Sequence, residues 1–149
     1  MLDTALETKP GVNAEFIFND KDRVGRWVAE KVGQQSSWGG FYAMGVELSG
    51  KIVSGIVING ITDSNASCHI AVTKPTKKLP ELIWHAQAYS FGQLGLRRLT
   101  AFIEDHNVAS LRINSKIGFE DEFVMKSAGT GGCDVIVRVL WPQNFKLRF

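Results

Sequence analysis

Residues 95–123, GLRRLTAFIEDHNVASLRINSKIGFEDEF, hold a strand, a turn, a capped helix and the start of a second strand in unbroken succession. Leu99, Ala101 and Ile103 alternate with Thr100, Phe102 and Glu104, the period of two that gives a strand two distinct faces. Asn107 is the residue type that caps a helix N-terminus, and the helix it opens carries Leu111, Asn114 and Ile117 on one side. Gly118 suits the position just past a helix end, and Phe119 restarts the sheet.

Upstream, residues 79–94 have no proline after Pro80. They present Leu79, Leu82, Ile83, Ala86 and Tyr89 on one stripe and Trp84, Ala88 and Phe91 on another, so the spacing predicts a long helix covered on more than one side. A strand at 66–72, this helix and the strand at 98–104 make a crossover unit, whose two strands are expected to be parallel neighbours. FYAMGVEL and KIVSGIVI are apolar strands joined at Ser49-Gly50, a two-residue connection that suits a hairpin. Phe16 and Phe18 mark a first short strand. Asn19 or Asp20 then caps a helix with Val24, Trp27, Val28 and Val32 on one face, ended by Gly33. Strands at 119–125 and 134–140, joined by a Gly-rich turn, complete the chain. The class is α+β, one mixed central sheet of six to seven strands with helices on both faces. Residues 1–13 are polar, contain Pro10 and Gly11, and read as a loose leader to a single domain at 14–149.

At 149 residues and 44% hydrophobic, the chain can bury one core. Seventeen basic and fifteen acidic side chains leave a net charge of +2, with no basic block beyond Lys74, Lys77 and Lys78. That balance argues against general nucleic-acid binding and for a small-molecule or protein partner. No apolar run approaches a membrane span, and the N-terminus lacks the basic start and apolar stretch of a signal peptide, so the expected location is cytoplasmic. Cys68 and Cys133 have no His or Cys companions at zinc spacing; they read as two core thiols in a reducing compartment, and no metal is expected.

The run N-x-x-S-x-R-I-x-x-K-I-G-F from Asn107, preceded by Tyr89, Phe91, Leu94, Gly95 and Arg98 on the pattern aromatic-x-Phe-x-x-Leu-Gly-x-x-Arg, resembles the GNAT superfamily of acetyl-coenzyme A-dependent N-acetyltransferases. It is closest to the branch that acetylates ribosomal-protein amino termini and antibiotics. The resemblance runs from about residue 15 to 140 and implies acetyl-CoA as co-substrate, a primary amine of a protein or small molecule as acceptor, and a homodimer as one oligomeric option. In the family, backbone N–H groups of a glycine-containing loop before the crossover helix bind the coenzyme pyrophosphate, aided by the helix dipole. Here Lys74 takes the loop's basic position, while Pro75 and Lys77 fall where the family keeps small residues. The resemblance assigns cofactor contacts to Ile70, Val72, Lys74, Thr76, Lys77, Lys78, Leu79, Asn107, Ser110 and Lys116. Three lysines either hold phosphate as point charges or form a solvated basic loop.

Many family members place a tyrosine four residues before the Gly-Phe pair to protonate the leaving thiolate; Asn114 stands there. An amide is no acid, so the proton must come from Ser110 or from water. Three side chains are candidates for the general base: His69, Glu104 and His106. Glu104 is preferred, because a strand-end carboxylate facing an apolar pocket is expected to have its pKa raised by desolvation. Each also has a structural reading, as a hydrogen-bonded sheet histidine, a surface charge and an exposed turn residue. Trp27, Trp38, Phe41 and Tyr42 fall in the region that walls the acceptor site and read mainly as core, with Trp38 beside Gly39-Gly40 as the aromatic tip of a lid. The tail WPQNFKLRF reads as a docking segment or an edge-covering strand. Two functions stay open: an N-acetyltransferase, and a GNAT-fold protein with reduced catalysis that binds a partner protein.

Overall fold

The computed structural model describes residues 13–146, so the expected leader lies, but for Asn13, outside the described residues. The chain runs β1 (Ala14–Ile17), α1 (Lys21–Val32), β2 (Phe41–Leu48), β3 (Lys51–Asn59), β4 (Asn65–Val72), α2 (Leu79–Gln87), β5 (Arg98–Glu104), α3 (Val108–Ile117), β6 (Glu120–Met125) and β7 (Val135–Leu140). The strands form one mixed sheet in the order β1-β2-β3-β4-β5-β7-β6. β4 and β5 are parallel neighbours bridged by α2, as the crossover reading requires. Ser49 and Gly50 both take positive φ, 49° and 80°, the handedness that matches a two-residue turn to the twist of β2 and β3.

Helices cover both faces because the strands are apolar on both. On one face Leu79, Leu82, Ile83 and Ala86 of α2 pack with Ile56, Ile58, Ile103 and Leu140, and α3 adds Ile117. On the other, Val24 and Val28 of α1 are fully buried with Val57, Ala71 and Trp38. A side chain at Gly55 would meet Val28 Cγ2 at 2.8 Å, so this glycine lets α1 lie directly on β3. Asp20 caps α1 by accepting from the Arg23 backbone N–H, and Gly33 closes it at φ 75°. Val32 departs from the expected stripe: it is 44% exposed, because the last turn of α1 overhangs the sheet at the rim of the cleft described below.

The helix expected over 79–94 changes form midway. Regular α-helix stops at Gln87, and Ala88–Gln93 widen into a π-helical turn in which Leu94 N donates to Tyr89 O at 2.8 Å. Ser90 Oγ donates to Ala86 O at 2.7 Å, a side-chain bond that competes for a helical carbonyl. Of the two readings of the tail, the edge-covering strand is not what forms. Residues 141–146 cross the end of α3, with Lys146 N bonded to Ile117 O at 2.8 Å and Phe145 against the core, and they add no strand to the sheet over the described part, though Trp141 Nε1 donates to Glu120 Oε1 on its edge at 3.0 Å. That edge is β6, exposed along its whole length. Among the described residues no helix is long and apolar enough to cross a membrane.

Gly118 is pinned by this crossing. Its φ is 120°, and a Cβ there would collide with the Asn144 carbonyl. Gly118→Ala is therefore expected to cost about 2–4 kcal/mol through backbone strain and overpacking. Thermal unfolding followed by circular dichroism should show a fall of about 5–15 °C; an unchanged midpoint would mean the tail moves aside freely.

Candidate functional site

β4 and β5 pair only at Asn65 with Arg98, Ala66 with Leu99 and Ser67 with Thr100. Beyond that, β4 stays bonded to β3 as far as Val72, and β5 to β7 as far as Glu104. Each strand follows its outer neighbour, and the sheet twist carries the two apart. The β5-facing edge of β4 from Cys68 to Val72 is thus without a strand partner among the described residues. The opening is a cleft of about 290 Å³ whose lining includes His69, Ile70, Glu104, Asn107, Ser110 and Asn114. Of the four proposed catalytic residues it joins His69, Glu104 and Ser110; His106 lies just outside, with Nε2 3.8 Å from Glu104 Oε1.

His69 is linked to Trp38 through Asn59 by two hydrogen bonds. Asn59 Nδ2 donates to the Trp38 carbonyl at 3.2 Å, which fixes the amide so that Oδ1 faces His69 Nε2 at 2.9 Å. The imidazole therefore carries its proton on Nε2 and leaves Nδ1 as a bare acceptor. Burial holds it neutral, pushing its pKa down to about 4. Trp38 is no lid: it is buried, donates from Nε1 to Gly25 O at 2.9 Å, and packs its ring 4.7 Å from that of His69.

Glu104 also departs from expectation. Its carboxylate accepts from the Thr130 backbone N–H, and this bond, with smaller help from Cys133 and His106, holds its pKa below the usual carboxylate value instead of above it. Thr130 comes from the β6–β7 turn, 26 residues away, and no local signal tied it to the site. On α3, Asn107 caps the helix by accepting from Ser110 N at 3.2 Å. Asn114 is buried and donates from Nδ2 to Ser110 O at 3.0 Å, which leaves Oδ1 without a partner among the described residues. A buried, unsatisfied acceptor on a cleft wall awaits a donor from a ligand or water.

The loop at 74–78, expected from the sequence to hold phosphate, turns Thr76 inward. Thr76 is buried, and its Oγ1 and carbonyl accept from Lys78 N at 3.2 Å and Leu79 N at 3.2 Å, while Pro80 has no N–H to offer. Lys78 Nζ sits 4.8 Å above the Phe16 ring, and Lys74 and Lys77 are exposed. Ile70 lines the cleft; Val72 ends β4 and leads to this loop, and Leu79 is core. Lys116, near the far end of α3, does not line the cleft.

Among solved structures, a mutant of spermidine N-acetyltransferase SpeG from Vibrio cholerae matches with a TM-score of 0.66 at 15% identity, over 91% of this chain and 96% of that one. An acetyltransferase of the GNAT family from Streptococcus pneumoniae matches with a TM-score of 0.67 at 14% identity, over 87% and 99%. A dodecameric structure of the Vibrio cholerae enzyme matches equally, at 0.66 and 14%. At such identities the shared feature is the fold. No protein-family model matches the sequence, and no curated protein does.

Proposed function

We propose that this chain, which has the fold of the GNAT acetyltransferases, is an N-acetyltransferase that moves an acetyl group from acetyl-CoA to a primary amine across the β4–β5 cleft. The observation that carries the reading is the unpaired edge of β4 from Cys68 to Val72. The amide-bearing pantetheine arm can bind there as an added strand, donating to and accepting from the open backbone. It brings the thioester to the part of the cleft lined by Glu104, Ser110 and Asn114. The amine nitrogen attacks the carbonyl carbon, the N–C bond forms and the C–S bond breaks. The amine proton passes to Glu104, and the departing thiolate takes one from Ser110 or from water held by Asn114 Oδ1. The neighbour named for spermidine supports a small-molecule amine, with protein amino termini as the other acceptor class.

One observation favours the second reading, a GNAT-fold protein with reduced catalysis that binds a partner protein: the first amides of α2 are already engaged by Thr76. Calorimetric titration with acetyl-CoA, followed by thiol release in the presence of polyamines and peptide amino termini, separates the two. Cofactor binding with thiol release supports the enzyme; absence of both supports the binding protein.

The loop also sets how the coenzyme binds. With lysine side chains in place of buried amides, affinity is expected to fall steeply as salt is raised. Lys77→Glu should weaken binding about tenfold or more, and Pro75→Gly should strengthen it by restoring a donor. Tight, salt-insensitive binding that ignores Lys77→Glu would move the phosphate site elsewhere.

A further inference from the structure

The end of β5 and the start of β7 are fixed side by side: Glu104 pairs with Val135, and Asp105 N donates to Asp134 O at 3.0 Å. The β6–β7 turn, through Gly131 and Gly132 at φ 67° and 84°, folds back over this corner and sets Thr130 and Cys133 beside Glu104. A carboxylate and an imidazole from the end of β5 and a thiol from the β6–β7 turn thereby meet. The donor atoms of Glu104, His106 and Cys133 all lie within 4.8 Å of one another. We propose that these three side chains form a binding site for a divalent transition-metal ion, and that zinc is the ion it fits.

One donor is already held and a second lies beside it. Glu104 Oε2 is held by the Thr130 N–H, which leaves Oε1 free to face His106 Nε2 at 3.8 Å. His106 turns its other nitrogen, Nδ1, toward Asp105 Oδ1 at 3.6 Å. The N–H behind the carboxylate is the kind of outer contact that orients metal-bound Glu, and Asp105 is near enough to take that part for His106 after a small side-chain rotation. Zinc bonds of about 2.0–2.3 Å to O, N and S set donor–donor edges of about 3.3–3.6 Å in a tetrahedron. The Glu104–His106 pair nearly meets that edge. The widest separation closes by about 1 Å on binding, a shift within reach of a ring whose side chain is 66% exposed.

The donor types choose the metal class. Thiolate and imidazole suit zinc and its transition-metal neighbours, whereas magnesium and calcium take all-oxygen shells. One carboxylate and one thiolate balance the charge of the ion, so binding expels the thiol proton to solvent. Three protein ligands leave the fourth position to water on the exposed side. The site escapes any sequence spacing rule because the β5–β7 pairing, not local succession, brings residue 133 to residues 104 and 106. The site shares Glu104 with the base proposed for acetyl transfer, so bound zinc is expected to block that role, and its own readout is metal binding.

The test uses the full chain, reduced and stripped with a chelator, titrated with zinc by calorimetry and with cobalt as an absorbing substitute. The expected results are one zinc per chain and a thiolate-to-cobalt charge-transfer band in the near ultraviolet. That band should disappear in Cys133→Ser and persist in Cys68→Ala. Zinc affinity should fall about 100-fold in His106→Ala, an exposed position where the fold is not at stake, and about tenfold in Asp105→Asn. Absence of zinc binding, a cobalt band that survives Cys133→Ser, or zinc affinity unchanged in His106→Ala would overturn the proposal.

Discussion

Glu104→Gln is expected to lower acetyl-transfer turnover by about 10²–10⁴-fold while leaving coenzyme A affinity nearly unchanged. The substitution keeps an oxygen to accept from the Thr130 N–H, so the β6–β7 turn keeps its anchor and only the charge and basicity are removed. The anion matters most when positive charge develops on the attacking nitrogen, which makes the loss fall on turnover and not on cofactor binding. Because the Thr130 bond holds the Glu104 pKa below the usual carboxylate value, the group is ionised throughout the neutral range. The acid limb of the rate profile therefore lies below the ordinary carboxylate region; a carboxylate raised by desolvation would instead place it near neutrality. Steady-state thiol release across pH, paired with calorimetry of coenzyme binding, reads both effects. Turnover preserved in the variant, or a loss explained by weaker coenzyme binding, would remove Glu104 from the chemistry.

That reversal at Glu104 marks where the sequence stops being legible. Strand β5, the Ser49-Gly50 hairpin and the bounds of α3 rest on local signals: alternation, a two-residue turn, an Asn cap and a terminal Gly. All of them appear in the structure where the residues put them. The crossover was equally legible, because a long apolar helix between two strands leaves little choice of topology. The π-helical turn was not, since the spacing of apolar residues over one turn does not distinguish bonds four residues apart from bonds five apart. At the site, polar residues near strand ends were found, but their electrostatic states were not. Thr130 reaches Glu104 only through the β6–β7 turn, and Trp38, beside Gly39-Gly40 like a lid tip, is held by a carbonyl on α1. Cys133 looked solitary for the same reason: its neighbours are tertiary.

Acidification from pH 6.5 to 4 is expected to destabilise the fold by about 3 kcal/mol through His69 alone. Burial depresses the folded-state pKa of this histidine to about 4, against an ordinary value of 6.5. Between those values the unfolded chain takes up a proton that the folded chain refuses. The contribution of His69 is thus fully present above pH 6.5, is lost progressively as pH falls, and levels off below about 4, where the native imidazole also charges. The refusal has a structural cause: the proton would have to go to Nδ1, and burial of the ring, which lies against Trp38 on β4, withholds the water that would solvate the resulting charge. His69→Gln keeps a donor for Asn59 but cannot ionise. Its stability should therefore fall less than that of the parent between pH 6.5 and 4.5, because the carboxylates held below their usual pKa, Glu104 among them, contribute equally to both proteins. Urea unfolding of both proteins across this window makes the comparison. Parallel declines would show that the imidazole is hydrated enough to charge in the folded state, and that the cleft wall at His69 is open to water.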